Sequence, residues 1–184
     1  VGQSPYSATK IAADQLALSY WLSFQIPVKI VRPFNTYGPR QSSRAIIPTI
    51  ISQILSEKTA LSLGNTTPTR DLTFVHDTVE GFINISKTDK LNGEVTNIGN
   101  GTEISIKELA LEIARLCDVK IKLRVSSERK RPLLSEVKRL LCDNSKIVKN
   151  TKWRPRYSLE QGLLQTIEWI KQNIHFYKPD LYIK

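Results

Sequence analysis

The sequence predicts an α/β fold, because segments typical of strands alternate with segments typical of helices along its 184 residues. Short β-branched runs are repeatedly followed by amphipathic stretches that begin with a capping residue. The composition, 40% apolar and 24% charged residues, is that of an ordinary soluble domain with one sizeable core. No apolar run approaches the ~18 residues of a spanning helix, and no signal peptide is recognisable. We therefore expect a soluble, cytoplasmic protein.

Five predicted elements lie in the first half of the chain: helices over 5–24, 45–57 and 77–87, and strands over 26–32 and 61–63. The first helix has Ser4 as its N-cap and Pro5 at its first position, where proline costs no hydrogen bond. The strand over 26–32 is β-branched and ends in a segment of turn formers. Asp77 is predicted to cap the third helix, with Glu80 at the capping-box position.

The second half continues the alternation, with strands over 94–99 and 120–125 and helices over 106–117, from 144, and over 159–173. Two capping boxes support these helices, Ser105 with Glu108 and Ser158 with Gln161. Residues 126–141 are predicted to form a basic loop region. The pattern indicates a sheet with crossover helices rather than a helical bundle or a β-sandwich.

The formal charge of +10 comes from one stretch of the chain. Residues 120–156 hold 13 Lys and Arg against 3 Asp and Glu, whereas the remaining residues hold 14 of each kind. The aromatic residues are not interleaved with this basic stretch, so we expect no nucleic-acid partner. The two cysteines and two histidines stand far apart in sequence, and we expect no metal site.

Tyr6 and Lys10 stand four residues apart on the first predicted helix, so their side chains project from one face. Tyrosine, with a reference pKa of about 10, is a poor base, but a neighbouring ammonium favours the phenolate. Such a tyrosine could remove a proton from an alcohol. The same spacing also occurs by chance on helix surfaces, and the pair alone does not decide between the two interpretations.

The motifs SPYSATKIAADQL, RPFNTYGPRQ, TRDLTFVHDTVEGF, VTNIGNG, RPLLSEVKR, DNSKI and TKWRPRYSLEQGL follow one another along the chain. In this order they resemble the NAD-dependent epimerase/dehydratase family of extended short-chain dehydrogenases/reductases. The resemblance is greatest to its nucleotide-sugar 4,6-dehydratases, including those that act on UDP-N-acetylglucosamine or related nucleotides. The resemblance implies the carboxyl-terminal part of a Rossmann-like doubly wound domain plus a smaller α/β substrate-binding domain. Residues 1–40 would end the Rossmann-like domain, and residues 41–184 would form mainly the substrate-binding domain, with 70–100 packing back on the Rossmann sheet.

The resemblance also implies roles for single residues near the reacting centre. Tyr6 matches the family's catalytic acid/base, and Lys10 the lysine that also hydrogen-bonds the nicotinamide ribose. Pro33 matches a position whose backbone lies near the nicotinamide. Asn35 matches a substrate-binding asparagine, although an Asx-turn in the following loop is an alternative or additional role.

Three arginines are candidates for binding the diphosphate of a nucleotide-sugar substrate. Arg70 and Arg131 match family arginines with that role, and a guanidinium pairs well with phosphate oxygens. Arg44 lies beside a helix start that could itself face an anion. The alternatives are a salt bridge from Arg70 to Asp71 or Asp77, and simple solvation for Arg131.

The glycine-rich dinucleotide fingerprint of the family is not recognisable in these 184 residues. Gly99-Asn100-Gly101 is the nearest candidate, but Ile104 takes the place of the third glycine. We therefore expect a carboxyl-terminal fragment, inactive alone, of an enzyme that uses NAD or NADP and forms a homodimer. A nucleotide-sugar 4-epimerase or uronate decarboxylase fits nearly as well as a 4,6-dehydratase, and a non-catalytic nucleotide-sugar-binding module is the alternative of another class.

Overall fold

The computed structural model describes residues 2–58, 60–129 and 136–177. Six α-helices lie in this part of the chain: α1 Pro5–Phe24, α2 Ile46–Leu55, α3 Val75–Ser86, α4 Ile106–Leu116, α5 Ser145–Asn150 and α6 Leu159–Gln172. The strands are β1 Ile30–Pro33, β2 Asn35–Tyr37, β3 Ala60–Leu63, β4 Thr69–Arg70, β5 Leu72–Phe74, β6 Val95–Ile98, β7 Ile104–Ser105, β8 Lys122–Val125 and β9 Arg139–Leu140. Short 3₁₀ turns add Asp89–Leu91, Ser127–Arg129 and Ile174–Phe176.

The strands form small, mainly parallel sheets. β1 pairs with β6, β2 with β5, and β3 with β8, each in parallel. The remaining sheet has the order β7-β4-β9, in which β4 is antiparallel to β7 and parallel to β9. Parallel pairs need crossover connections, and helices supply most of them here. The predicted α/β class is confirmed.

The helix starts predicted from capping residues are mostly confirmed. Ser4 accepts a hydrogen bond from the amide of Ser7, and Ser105 and Ser158 form the two predicted capping boxes. The cap predicted for Asp77 is wrong, because α3 begins at Val75 and places Asp77 within its first turn. The buried Asp77 carboxylate instead accepts the backbone N–H groups of Arg156 and Tyr157, so it joins two segments that are distant in sequence.

The larger hydrophobic core lies where α2, α4 and α6 pack together over β3 and β5. Its fully buried side chains include Ile50, Ile51, Leu61, Leu109, Ile113 and Leu163. A smaller core joins α3, β6 and α5. Trp153 lies in this smaller core and donates its indole N–H to the carbonyl of Asp77 at 2.8 Å. The chain thus builds its own packed interior around the elements that follow β2.

Helix α1 differs from the other long helices, because none of its residues, all described by the structure, is buried. Its apolar side chains Leu16, Leu22 and Phe24 are each more than 60% exposed. Near its carboxyl end, Trp21 packs so closely on Gly93 that a Cβ there would collide with the indole, and Gly93 also has a positive φ. β1 begins at Ile30, later than the predicted start at residue 26, since residues 26–29 do not pair with β6.

Candidate functional site

A cavity of about 470 Å³ brings together three of the residues predicted to bind a substrate, Asn35, Arg44 and Arg70. Asn35 begins β2, Arg44 precedes α2, and Arg70 ends β4. The start of β2, the end of β4 and the loop before α2 therefore converge on one space, although Arg70 is distant in sequence from Asn35 and Arg44. A cavity with a few convergent polar groups is the usual form of a small-molecule site.

The amino-terminal end of α2 forms one wall of this cavity, through Ala45, Ile46 and Ile47. The N-cap residue Ala45 offers no side chain that could accept a hydrogen bond, and Pro48 has no N–H group. The first N–H groups of a helix have no partner inside the helix and carry partial positive charge. Arg44 adds a full positive charge beside them, so this wall is suited to an anion.

Arg70 is a half-buried arginine fixed from several sides. Its Nη1 donates to the carbonyl oxygens of Thr69 and Val137, both at 2.7 Å. Its Nη2 lies 3.2 Å from Oε1 of Glu136, and both side chains of this ion pair are 14% exposed. A salt bridge from Arg70 to Asp71 or Asp77 was the alternative interpretation; the acidic partner in the structure is Glu136 instead.

The Asn35 side chain is exposed and makes no hydrogen bond with any residue in the described part of the chain. The Asx-turn considered for it is therefore not formed. Its neighbour Thr36 stabilises the loop instead, through hydroxyl contacts with the carbonyl of Phe34 and the hydroxyl of Thr78. The Asn35 amide remains available to donate to or accept from a ligand in the cavity.

Tyr6 and Lys10 lie on one face of α1, as predicted, and neither lines the cavity. Lys10 Nζ is 5.5 Å from the centroid of the Tyr6 ring, and Tyr6 is 71% exposed. Within the described part of the chain, neither the Tyr6 hydroxyl nor the Lys10 ammonium has a hydrogen-bond partner. One turn further along α1, Asp14 accepts from Arg32 of β1 at 2.6–2.7 Å, which ties the helix to the strand that ends at Pro33.

The loop of Gly99, Asn100 and Gly101 is wrapped around a carboxylate of the protein itself. Asp71 is fully buried and accepts the N–H groups of Asn100 and Gly101, both at 2.8 Å, and that of Cys142 at 3.1 Å. These amides are consequently occupied, and the loop cannot cradle a dinucleotide phosphate as a fingerprint loop does. The structural role of Asp71 was missed in the sequence, where nothing local links it to residues 100 and 142.

Several cavity residues were also missed in the sequence. Gln41 follows the NTYGPR segment and donates from Nε2 to the carbonyl of Thr36 at 2.9 Å. Arg129 and Glu136 come from the basic region, where only Arg131 was singled out. The high density of charged residues in 120–156 is the sequence signal that could have pointed to Arg129 and Glu136. Arg131 itself lies outside the described residues.

The described part of the chain contains neither a metal-ligand cluster nor a membrane-spanning helix. There, no three His, Cys, Asp or Glu side chains gather as the ligands of a metal ion would. No helix among residues 2–58, 60–129 and 136–177 combines the length and apolarity needed to cross a bilayer.

Known proteins similar to this chain catalyse different reactions on nucleotide sugars. The human dTDP-D-glucose 4,6-dehydratase is 30% identical over 95% of this chain and 50% of its own length. A UDP-N-acetyl-alpha-D-glucosaminuronate decarboxylase of Bacillus cytotoxicus is 36% identical over 91% of this chain and 53% of its own length. The UDP-glucuronic acid 4-epimerase of Bacillus cereus, solved with UDP-glucuronic acid and NAD, superimposes with a TM-score of 0.85 at 31% identity, covering 94% of this chain and 54% of that one.

The chain spans about half the length of the curated relatives it matches. A family model described as GDP-mannose 4,6 dehydratase matches residues 1–166. This match includes α1 with its Tyr6–Lys10 pair and the described residues that line the cavity. The chain therefore belongs to the GDP-mannose 4,6-dehydratase family, within the extended short-chain dehydrogenases/reductases that its motifs resemble.

Proposed function

We propose that this chain provides the substrate-binding part and the catalytic tyrosine of an NAD(P)-dependent nucleotide-sugar enzyme, with 4,6-dehydration as its reaction. The observation that carries the proposal is the convergence of Asn35, Arg44 and Arg70 on one cavity, in a chain whose family members act on nucleotide sugars. The description of the matching family model, GDP-mannose 4,6 dehydratase, is our reason for naming dehydration first.

The cavity is chemically suited to the diphosphate of a nucleotide sugar. Arg70 places a guanidinium in the wall of the cavity, and its charge persists at every physiological pH. Arg44 and the first turn of α2 provide positive charge on another wall. Asn35 can bind either a phosphate oxygen or a sugar hydroxyl, because its amide both donates and accepts. Among the described residues, Arg129 is the cation of the basic stretch that lines the cavity.

Tyr6 and Lys10 are the residues we assign to proton transfer. Lys10 Nζ lies 5.5 Å from the centroid of the Tyr6 ring, and the Tyr6 oxygen is the group to which we assign transfer of the sugar 4-hydroxyl proton. Both groups are exposed and without partners in the described part of the chain, so they can meet a nicotinamide ribose beside Pro33. NAD(P)+ supplies the hydride acceptor that this oxidation requires. Loss of water across C5 and C6 follows. Return of the hydride to C6, with a proton to C5, then gives a 4-keto-6-deoxy sugar nucleotide and no net oxidation.

A 4-epimerase and a decarboxylase would begin with the same oxidation, and the relatives include both enzymes at comparable identity. The product distinguishes the reactions. Dehydration removes water from the sugar nucleotide, decarboxylation removes carbon dioxide, and epimerisation leaves the mass unchanged. Mass spectrometry of the product formed by an enzyme that contains this chain therefore decides among them. The homodimer expected for such an enzyme stays a prediction.

A non-catalytic binding module is a second candidate, which the cavity itself favours. Neither Tyr6 nor Lys10 is among the described residues that line the cavity. The chain could consequently bind a nucleotide sugar without converting it. Saturable binding with no turnover, in an enzyme that also contains a dinucleotide-binding half, would favour this candidate.

The test of the catalytic assignment is Tyr6→Phe in an enzyme in which this chain is joined to a dinucleotide-binding half. We expect turnover to fall about 10²- to 10⁴-fold while the affinity for the nucleotide sugar is unchanged, since only the proton-transferring hydroxyl is removed. Tyr20→Phe is the matched control, because Tyr20 lies exposed on the same helix. Full activity of Tyr6→Phe would contradict the proposed function.

A further inference from the structure

One side of the cavity is formed by the loop of residues 38–45, which we call the cavity loop and which connects β2 with α2. Four of its residues line the cavity: Gln41, Ser43, Arg44 and Ala45. Its backbone hydrogen bonds are local. The amide of Gln41 donates to the carbonyl of Gly38 at 3.3 Å, and the amide of Ala45 donates to the carbonyl of Ser42 at 2.9 Å. Bonds of this kind close single turns and do not fix the loop relative to the core.

The conformation of the cavity loop has two unfavourable features. Arg40 has a φ of +67°, in the left-handed region, where a side chain crowds the backbone. The side-chain oxygen of Gln41 is buried and has no hydrogen-bond partner in the described part of the chain. Features of this kind persist where the surrounding structure imposes them. The loop therefore needs a restraint from outside itself.

Tyr177 provides such a restraint from a distant part of the chain. Its ring is buried in the larger core and lies edge-on to Trp169 of α6, with the ring centroids 6.1 Å apart. Its hydroxyl donates to the backbone carbonyl of Gln41, 136 positions earlier, at 2.9 Å. This bond ties the cavity loop to the core. Burial also raises the pKa of Tyr177, so the phenol keeps the proton that it donates at physiological pH.

We propose that Tyr177 is a positioning residue of the cavity, whose hydroxyl holds the cavity loop in the conformation that presents Arg44 and the start of α2 to a ligand; this inference rests on the proposed function of the cavity. Tyr177 is not among the described residues that line the cavity, so it acts through Gln41. Without the bond the loop adopts further conformations, and the ligand binds only the fraction in which Arg44 is in place. The apparent affinity falls by that fraction.

Calorimetric titration of the 184-residue chain with UDP-N-acetylglucosamine compares Tyr177→Phe with the unmodified protein. The variant keeps the ring and loses the hydroxyl, and we expect binding about three- to tenfold weaker, the effect of losing one hydrogen bond that restrains the loop. Tyr157→Phe is the matched control. The ring of Tyr157 also packs on the larger core, its hydroxyl contacts Nδ1 of His76 at 3.3 Å, and neither residue lines the cavity. We expect this control to bind as the unmodified chain does.

Urea unfolding of both variants distinguishes a positioning role from a merely structural one. A merely structural role of the Tyr177 hydroxyl would lower the urea midpoint and leave the affinity of the folded chain unchanged. Unchanged affinity of Tyr177→Phe would therefore overturn the inference. An equal loss of affinity in Tyr177→Phe and Tyr157→Phe would overturn it as well.

Amide hydrogen exchange of the free chain separates this inference from the proposed function, because it needs no ligand. We expect the amides of Gln41 and Ala45 to exchange about three- to tenfold faster in Tyr177→Phe and at the unmodified rate in Tyr157→Phe. If this acceleration is seen but the unmodified chain does not bind the nucleotide sugar, the restraint stands and the proposed function fails. If the nucleotide sugar binds but Tyr177→Phe leaves the exchange unchanged, the proposed function stands and the inference fails.

Discussion

The cavity and helix α1 carry the two halves of the proposed reaction, and their surroundings differ sharply. The cavity adjoins the larger core, where Ile50, Leu109 and Ile113 are fully buried. On α1, which holds Tyr6 and Lys10, no described residue is buried and apolar side chains face outward. Large exposed apolar surfaces usually mark interaction sites. The cavity proposed to bind the substrate thus adjoins a packed core, whereas the Tyr6–Lys10 pair proposed for proton transfer lies on a helix that has little support from the described residues.

Truncations of apolar side chains should show the largest difference between the two regions. We expect Ile113→Ala to lower the free energy of unfolding by about 2–5 kcal/mol, because it leaves a void in the core. Leu16→Ala removes a similar side chain that is 62% exposed on α1, and we expect a change within about 0.5 kcal/mol. Urea unfolding followed by circular dichroism measures both. A loss above 2 kcal/mol for Leu16→Ala would show that α1 is packed in solution.

Asp71 offers a second comparison, between a buried and an exposed carboxylate. Asp71→Asn should destabilise the chain by about 2–3 kcal/mol, because the new amide cannot accept all of the N–H groups that the carboxylate accepts from Asn100, Gly101 and Cys142. Asp143→Asn is the control, since this exposed carboxylate accepts one amide, that of Ser145. Equal unfolding midpoints for the two variants in urea would contradict the role assigned to Asp71.

The buried thiol of Cys142 should produce a smaller effect, visible at alkaline pH. Burial, and then the charges of Asp71 and Asp143, raise the pKa of Cys142 from 9.0 to about 12. The unfolded chain therefore loses this proton at a lower pH than the folded chain, so the stability that the thiol contributes falls as the pH rises from about 9 towards 12. We expect the urea midpoint of the unmodified chain to fall more steeply between pH 8 and 10.5 than that of Cys142→Ala. Parallel curves would show that Cys142 does not contribute.

Local features of the sequence predicted local features of the structure. The serine caps of α1, α4 and α6, the α/β class and the shared face of Tyr6 and Lys10 depend on residues within one or two turns of each other, and all are confirmed. The prediction failed where a polar residue has a distant partner. Asp77 binds residues about 80 positions away, and Arg70 binds Glu136 across the β4–β9 pair. Such partners follow from strand pairing, which no single segment encodes.

The same distinction between local and long-range features applies to the candidate site. Asn35, Arg44 and Arg70 could be nominated from motifs, but their meeting in one cavity depends on the packing of α2 against α4 and α6. Gln41 and Glu136 lie within the motifs RPFNTYGPRQ and RPLLSEVKR, but no role was predicted for either, and only the folded arrangement shows them beside the other three. Similarly, the sequence could not decide whether the Gly99–Gly101 loop binds a dinucleotide phosphate. The structure shows that the Asn100 and Gly101 amides donate to Asp71 instead.

The most direct test of the account is a calorimetric titration of the 184-residue chain with UDP-N-acetylglucosamine, on the unmodified protein and on three variants. Arg70→Ala removes the cavity arginine, Tyr6→Phe alters the exposed helix, and Arg139→Ala removes an arginine that pairs with Glu103 outside the cavity. We predict saturable binding that Tyr6→Phe and Arg139→Ala leave unchanged and that Arg70→Ala weakens at least about tenfold. Absence of binding to the unmodified chain, or binding that Arg70→Ala does not weaken, would contradict the account.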